Sequence, residues 1–300
     1  MNRIKRVLAV LLLVGLSTAL YAQNPATSTL ATQKATEYLA NMPADSYKIS
    51  EAAFIEKVKA GENIMILDIR QAADYNKGHV KGAVNAPFGP DMGSFLDKLP
   101  KDKPVMLYCY TGQTAGQTVV LLNLAGVQAR SVNLGFTLGI SKVSGVEAYI
   151  ETTARAFPAA GATYDPALKK IFADYFAGLA KVNGTIYANN IIAEDEAKKL
   201  IDAKDPSIQV VSVRGAADYA KGHIKGAINV PWGKGMQAGF SVLPKNKKLI
   251  VYCYTGQTAG QTVAALRVMG YDAVSLRGGM GMPSNAPSGW ANKGFPVVTD

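Results

Sequence analysis

Cysteine and histidine are scarce in this chain of 300 residues, which holds two of each: Cys109 and Cys253, and His79 and His223. Two cysteines cannot supply the several disulfides that stabilise a small cysteine-rich domain, so that class is excluded. The cysteines lie 144 residues apart, and so do the histidines. This common spacing indicates that one of each belongs to each copy of a duplicated unit. A zinc site built from Cys and His within one copy is also excluded, because it would need about four ligands and each copy has two.

Charged residues are also few, at 18% of the chain, whereas apolar residues make up 48%. This balance is typical of globular proteins and excludes disorder as the main state. One domain has roughly 100–200 residues, so the length predicts about two domains. The formal net charge is +10, yet no run of five basic residues occurs anywhere in the chain. Such a surplus fits small anions, an acidic membrane face or nucleic acid, and the scattered lysines rank nucleic acid last, so no nucleic-acid partner is expected.

The first 22 residues are typical of a secretory signal peptide. A positive segment with Arg3, Lys5 and Arg6 precedes an apolar stretch, and Ala22 offers a small residue for cleavage. The stretch from residue 7 to Ala22 is shorter than the roughly 20 residues that span a bilayer. The sequence therefore predicts an exported, periplasmic protein that has no stable membrane span once the signal is removed.

The chain repeats itself with a period of about 140 residues. Residues 108–119 read YCYTGQTAGQTV, and residues 252–263 are the same string. Upstream, residues 70–89 align without a gap to residues 214–233. Because the period far exceeds the roughly 20–50 residues of solenoid repeats, the copies are predicted to be tandem domains with cores of their own.

Within each copy, short runs of branched and aromatic residues alternate with helical patterns. Ser50 is expected to cap one helix, and another is predicted from Thr114 to Ala125, ending at Gly126. This alternation predicts an α/β fold in which a mostly parallel sheet is flanked by helices in each domain. The predicted strands are residues 64–67, 105–108, 209–212 and 249–252.

The repeat divides the chain into five predicted segments. The short sequence EYLA ends at Ala40 and a similar one, DYFA, ends at Ala177, so a helical segment precedes each copy. The segments are a signal peptide (1–22), a helical lead-in (23–45), a first domain (46–150), a helical linker (151–190) and a second domain (191–300).

Each cysteine follows a predicted strand and precedes a predicted helix, at the sheet edge where open α/β folds bind ligands. Gly112 takes a positive φ at little cost, which lets the loop after Cys109 turn its backbone N–H groups towards the sulfur. Those donors and the helix dipole favour an anion, so we expect a reactive thiolate. The alternative is an inert buried cysteine. The two identical twelve-residue strings favour function, because the segments around them differ.

Further short motifs surround the two cysteine loops. They are Asp68-x-Arg70, Asp74-Tyr75, the run from Gly78 to Pro87, a six-residue loop from Cys109, Gly278-Gly279, and a closing run from Trp290 to Val297. Together these motifs resemble those of rhodanese-like sulfurtransferase domains. The resemblance covers nearly all of the chain from about Tyr47 onward, and it implies two tandem rhodanese-like domains.

The resemblance implies a two-step transfer of sulfane sulfur. A small sulfur-containing anion such as thiosulfate would give its outer sulfur to a cysteine, forming a persulfide, and cyanide or a thiol, including a protein thiol, would accept it. Cys109 and Cys253 would be the nucleophiles, and no cofactor or metal is expected. The loops that bind substrate and persulfide would comprise Tyr110, Thr111, Gly112, Gln113 and Thr114 in one copy, and Tyr254, Thr255, Gly256, Gln257 and Thr258 in the other.

The chain departs from the family pattern in several respects, two of which bear directly on the sites. No Arg or Lys lies in the cysteine loops, and Ser212 replaces the aspartate of Asp-x-Arg in the second copy. The identity of the donor therefore stays open, and so does the choice between one and two active cysteines. Three other functions are alternatives to the enzyme. A sulfane-sulfur carrier would need the same loops as the enzyme, a phosphatase or arsenate reductase would need an arginine where Thr114 ends the loop, and nothing supports a disulfide between the two cysteines.

The remaining polar residues are assigned to the framework of the fold. His79 and His223 suggest a Cys–His dyad, but histidine more often fixes a loop through its ring N–H group. Two structural ion pairs are expected at helix starts, Arg70 with Asp74 and Arg214 with Asp218.

Overall fold

The structure is a computed structural model that describes residues 25–158 and 161–299. It contains two parallel sheets of five strands each, one in each half of the chain, and helices flank both sheets. The predicted α/β class with two tandem domains is therefore confirmed. The predicted signal peptide lies outside the described residues. Within them, no helix is long and apolar enough to cross a membrane.

The first domain is built on a parallel sheet and a short antiparallel pair. Its strands are β1 (Lys48–Ile49), β2 (Met65–Asp68), β3 (His79–Val80), β4 (Val84–Asn85), β5 (Val105–Tyr108), β6 (Ala129–Val132) and β7 (Ile150–Glu151). Five of them form the sheet in the order β1-β6-β5-β2-β4, while β3 pairs with β7. The central strands β2 and β5 are buried along their whole length, as the predicted apolar runs at residues 64–67 and 105–108 indicate.

The second domain repeats this sheet. Its strands are β8 (Ile191–Ile192), β9 (Ile208–Ser212), β10 (Ile228–Asn229), β11 (Lys248–Tyr252) and β12 (Ala273–Leu276). Their order, β8-β12-β11-β9-β10, matches that of the first sheet position for position. A single antiparallel bridge between His223 and Val298 takes the place of the β3–β7 pair. The duplication seen in the sequence is thus a duplication of topology.

The helices begin close to where local sequence signals place them. The α-helices are α1 (Pro25–Ala40), α2 (Glu51–Lys59), α3 (Ala72–Lys77), α4 (Gln113–Leu124), α5 (Pro166–Ala177), α6 (Glu194–Asp202), α7 (Ala216–Lys221) and α8 (Gln257–Val268). Ser50 caps α2, since its Oγ accepts a hydrogen bond from Ala53 N at 3.2 Å. Helix α4 begins one residue before its predicted start, directly after Gly112. Shorter 3₁₀ or π segments are Pro90–Lys98, Gly135–Gly139, Ile140–Lys142, Val146–Tyr149, Gly178–Lys181, Ala188–Asn190, Met236–Val242 and Pro283–Asn285.

Helices α4 and α8 pack directly on each other and join the two domains. A Cβ atom added at Gly116 would lie 2.3 Å from the carbonyl oxygen of Gln257, and one added at Gly260 would lie 2.3 Å from that of Gln113. Such reciprocal contacts define an interface with approximate two-fold symmetry. One apolar cluster runs through this interface and includes both cysteines. The two domains therefore share a core, besides the smaller cluster that each has for itself.

The helix that precedes each domain in the chain packs on the other domain. Helix α1 contacts α8 and the Met236–Val242 segment of the second domain, and Leu39 O accepts a hydrogen bond from Gly235 N at 3.0 Å. Helix α5 packs on the Pro90–Lys98 segment of the first domain. The two lead-in helices are thus exchanged between the copies, which ties the domains together on both sides of the α4–α8 contact.

Candidate active site

The sulfur of Cys109 lies in a turn formed by the start of α4. Cys109 directly follows β5, and its Sγ accepts hydrogen bonds from Gly112 N at 3.1 Å and Ala115 N at 3.4 Å. Gly112 has φ 91°, the left-handed conformation that brings its N–H group round to the sulfur. The predicted loop geometry is therefore present, with one donor, Ala115, lying beyond the predicted loop residues.

Cys253 repeats this arrangement after β11. Its Sγ accepts a hydrogen bond from Gly256 N at 3.0 Å, and Gly256 has φ 101°. Both cysteines are free and only 2% exposed. The sulfur atoms thus face backbone N–H groups at the positive ends of two helices, inside the core that the domains share.

Two equivalent glycines, Gly135 and the Gly279 of the Gly278-Gly279 motif, hold the cysteine loops in place. Gly135 and Gly279 have φ of 61° and 60°, and a Cβ atom there would lie 2.5 Å and 2.6 Å from the carbonyl oxygens of Cys109 and Cys253. The residue after each glycine donates its N–H to the same carbonyl at 2.7 Å. Their equal place in the repeat was the available signal, since Gly135 and Gly279 are also 144 residues apart.

The tyrosine next to each cysteine fixes the loop from the other side. Tyr110 donates its hydroxyl hydrogen to Asp74 Oδ2 at 2.7 Å and accepts from Gln71 N at 3.1 Å. Tyr254 donates to Asp218 Oδ2 at 2.6 Å in the second domain. These hydroxyl groups are directed at the starts of α3 and α7, so the tyrosines position the loops rather than provide a free polar group for substrate.

The two predicted ion pairs are wrong. Arg70 pairs with Asp68, at 2.6 Å between Nη2 and Oδ2, and both side chains are buried. Asp74 instead lies on the exposed side of α3, where Lys77 and Tyr110 occupy its carboxylate. Burial of the Arg70 guanidinium makes a charged hydrogen-bond partner favourable, and Asp68 at the end of β2 supplies one.

The second domain has no aspartate at the equivalent place, and its arginine bonds to the backbone instead. Arg214 donates to Gly222 O at 2.7 Å and to the backbone oxygen of Asp218 at 2.8 Å. The Asp218 carboxylate is taken by Tyr254 and Lys221. Ser212 Oγ accepts a hydrogen bond from Arg214 N at 3.3 Å. Ser212 therefore bonds to the backbone of the arginine but does not pair with its guanidinium.

Gln113 and Gln257 were predicted to line the sulfur loops, but their side chains reach the opposite domain. Gln113 Nε2 donates to Ser275 Oγ at 2.7 Å and to Leu276 O at 3.0 Å. Gln257 Nε2 donates to Ser131 Oγ at 2.9 Å. The two identical strings therefore form a reciprocal interface as well as two cysteine loops, and this gives a second physical reason for their identity.

The histidines belong to the framework. His79 Nδ1 lies 2.8 Å from Tyr75 O, and its ring stacks on that of Tyr75 at 3.6 Å between centroids. His223 Nδ1 likewise lies 3.0 Å from Tyr219 O, and the two rings stack at 3.8 Å between centroids. Both rings are thus held against the helix that precedes them. Among the described residues, no group of three or more His, Cys, Asp and Glu side chains is placed to hold a metal ion.

Lys48 is a charged residue near Cys253 that sequence reasoning missed. It lies on β1 of the first domain, far from Cys253 in the chain. Burial lowers the pKa of Lys48, while Coulombic interactions with Cys253 and Asp45 act in the opposite direction. No local pattern indicates this proximity, because it arises from the packing of one domain on the other.

Both halves of the chain are similar to known proteins. A family model described as "Rhodanese-like domain" matches residues 51–140 and again residues 193–281. A sulfurtransferase of Allochromatium vinosum is 32% identical over 111 residues, which cover 37% of this chain and 94% of that protein. A thiosulfate sulfurtransferase of Escherichia coli is 35% identical over 71 residues, which cover 23% of this chain and 68% of that protein. Among solved structures, a rhodanese-related protein of Thermoplasma volcanium is 26% identical over 36% of this chain and 97% of that one, with a TM-score of 0.31.

Proposed function

The chain belongs to the family of rhodanese-like domains, and on that premise we propose that it is a sulfurtransferase whose cysteines carry sulfane sulfur as a persulfide. The observation that supports this best is the contact between each cysteine sulfur and backbone N–H groups at a helix start. Such donors stabilise negative charge on the thiolate and on the outer sulfur of a persulfide. They are fixed by the fold, so they need little reorganisation during the reaction.

In the first step, a thiolate at Cys109 or Cys253 attacks the outer sulfur of a donor such as thiosulfate. A new S–S bond forms at Sγ, the S–S bond of the donor breaks, and sulfite leaves with the electron pair. In the second step, cyanide or a thiolate attacks the outer sulfur of the persulfide. Thiocyanate or a new persulfide leaves, and the cysteine thiolate is restored.

The burial of both cysteines favours small reactants. Each is 2% exposed, so the sulfur is reached by small donors and acceptors more easily than by the surface of a folded protein. Burial also protects the cysteine thiolate and its persulfide from further oxidation. We therefore place thiosulfate-like anions as donors, and cyanide or small thiols as first acceptors, ahead of a protein thiol.

The function is tested by thiocyanate formation from thiosulfate and cyanide. The protein would be compared with Cys109→Ser, Cys253→Ser and the double variant, and each would be examined by intact mass for the gain of one sulfur atom after donor alone. We expect turnover that the double variant loses entirely. Neither turnover nor a sulfur adduct with any of several donors would contradict the proposal. A stoichiometric adduct without turnover would instead identify a sulfane-sulfur carrier.

We also propose that the protein is exported to the periplasm, because its first 22 residues are typical of a signal peptide. Cell fractionation followed by N-terminal sequencing tests this. The expected result is a protein in the periplasmic fraction that begins near residue 23. Recovery of the chain from the cytoplasm with Met1 intact would refute export without affecting the proposed chemistry.

A further inference from the structure

The two cysteine sites differ at one structurally equivalent position. In the first sheet Lys48 lies opposite Ser131 in the β1–β6 ladder, and in the second sheet Ile191 lies opposite Ser275 in the β8–β12 ladder. The register of the two sheets thus makes Lys48 and Ile191 counterparts. One copy has a cation where the other has an aliphatic side chain.

Each of these positions belongs to the cysteine site of the other domain. Ser131, the ladder partner of Lys48, accepts a hydrogen bond from Gln257, the first residue of the helix that follows the Cys253 loop. Ser275, the ladder partner of Ile191, accepts one from Gln113, the first residue of the helix that follows the Cys109 loop. Lys48 therefore lies beside the Cys253 loop, and by the two-fold symmetry Ile191 lies beside the Cys109 loop.

The charge of Lys48 is available for a bound anion. The nearby carboxylate of Asp45 is paired with Arg130, at 2.7 Å between Oδ2 and Nε. Lys48 itself forms no salt bridge within the part of the chain that the structure describes. The side chain is half-buried, and Cys253 is one of the two groups that interact with its charge. A partly desolvated ammonium group without a fixed partner interacts more strongly with an incoming anion than an exposed one does.

We propose that Lys48 of the first domain completes an anion-binding site at Cys253, and that Ile191 leaves the Cys109 site without this cation, so that the two cysteines accept sulfur donors of different charge. This inference rests on the proposed sulfur-transfer function. Lys48 takes the place of the cation that the cysteine loop itself does not contain. The Cys253 site is thus suited to dianionic donors such as thiosulfate, and the Cys109 site to neutral ones.

Single-cysteine variants allow the two sites to be measured separately. In the Cys109→Ser background, Lys48→Ile is expected to lower kcat/KM for thiosulfate by about tenfold or more. The kcat/KM for a neutral organic trisulfide should stay nearly unchanged. Lys48→Arg keeps the charge and is the matched control. In the Cys253→Ser background, the reciprocal change Ile191→Lys is expected to raise kcat/KM for thiosulfate. Equal effects of Lys48→Ile on the charged and the neutral donor would overturn the proposal.

An alkylation experiment tests Lys48 independently of sulfur transfer. Iodoacetate is an anion and iodoacetamide is neutral, and each alkylates a thiolate as iodide leaves. In the Cys109→Ser background, the ratio of the iodoacetate rate to the iodoacetamide rate should fall about tenfold on Lys48→Ile and should be retained in Lys48→Arg. A ratio that Lys48→Ile does not change, or a Cys253 that neither reagent modifies in the native protein, would overturn the anion site. A changed ratio in a protein without any sulfur transfer would refute only the proposed function.

Discussion

Gly116 of α4 and Gln257 of α8 are in such close contact that a Cβ atom on the glycine would lie 2.3 Å from the carbonyl oxygen of the glutamine. Gly260 has the same relation to Gln113. These two contacts bring the first turns of both helices together, and the cysteine loops immediately precede those turns. The distance between the domains and the placement of the two sulfur atoms therefore depend on the same pair of glycines.

Gly116→Ala and Gly260→Ala should each destabilise the protein. Alanine favours a helix interior by about 1 kcal/mol over glycine, but here its methyl group meets backbone that cannot move aside without separating the helices. Overpacking of this kind typically costs about 1–3 kcal/mol, so we expect a net loss of stability, measured by chemical denaturation. Gly233→Ala is the matched control, because nothing lies within 4 Å of its added Cβ. A Gly116→Ala variant as stable as the parent would show that the contact between α4 and α8 has room for a methyl group.

The packing of α5 on the first domain should weaken at alkaline pH. Tyr175 of α5 donates its hydroxyl hydrogen to Gln117 Oε1 at 2.7 Å, and burial raises the pKa of Tyr175 from 10.0 to about 12. Since the folded state favours the neutral phenol, this contribution to stability is fully present below pH 10 and is lost as the pH rises towards 12. Tyr38 of α1 makes the same bond to Gln261 at 2.7 Å, and burial raises its pKa further.

Tyrosine variants separate this effect from general alkaline unfolding. Tyr175→Phe should cost about 1 kcal/mol at neutral pH, because the side-chain oxygen of the buried Gln117 loses its hydrogen-bond donor, and it should make the free energy of unfolding less dependent on pH above 10. Denaturation curves at several pH values between neutral and 12 measure both changes. If the free energy of unfolding of Tyr175→Phe fell with pH above 10 as steeply as that of the parent, Tyr175 would not be the cause of the alkaline loss of stability.

Asp68→Ser should strongly destabilise the protein, although a serine, Ser212, occupies the equivalent position in the second domain. The change leaves the buried guanidinium of Arg70 without its carboxylate, and removing one partner of a buried pair typically costs about 3–5 kcal/mol. The second domain has Ser212 naturally, because Arg214 bonds to backbone oxygens instead. The double change Asp68→Ser with Arg70→Met should recover part of the loss. Thermal unfolding of the three proteins tests this, and equal stability of Asp68→Ser and the parent would rule it out.

Gly279→Ala should impair the Cys253 site more than the Cys109 site. Its Cβ atom would lie 2.6 Å from Cys253 O, and the backbone there has φ 60°, so the loop must move. In the Cys109→Ser background we expect a loss of thiosulfate turnover of about tenfold or more, the size of effect that misplaced reactive groups produce. The same change in the Cys253→Ser background should leave turnover close to that of its parent. Similar losses in both backgrounds would mean that Gly279 acts through global stability.

The duplication and the local structure of the sites could be predicted from the sequence. A string repeated letter for letter, one cysteine per copy, and apolar runs followed by helical spacing are local signals, and the structure has a strand, a turn and a helix at each of them. The cap at Ser50 and the positive φ of Gly112 were predicted for the same reason. In each case the determining interactions lie within a few residues of one another along the chain.

The interface and the charges around the sites were decided by tertiary packing. Arg70 pairs with Asp68 rather than Asp74, because burial of both side chains depends on the sheet and helices around them. Gln113 and Gln257 cross to the opposite domain, and Lys48 approaches a cysteine that lies more than half the chain away from it. The sequence by itself determined two copies of one fold with a cysteine in each. Only the packing of those copies against each other, through helices that two glycines allow to touch, decided that the helix after each cysteine loop bonds to the other domain.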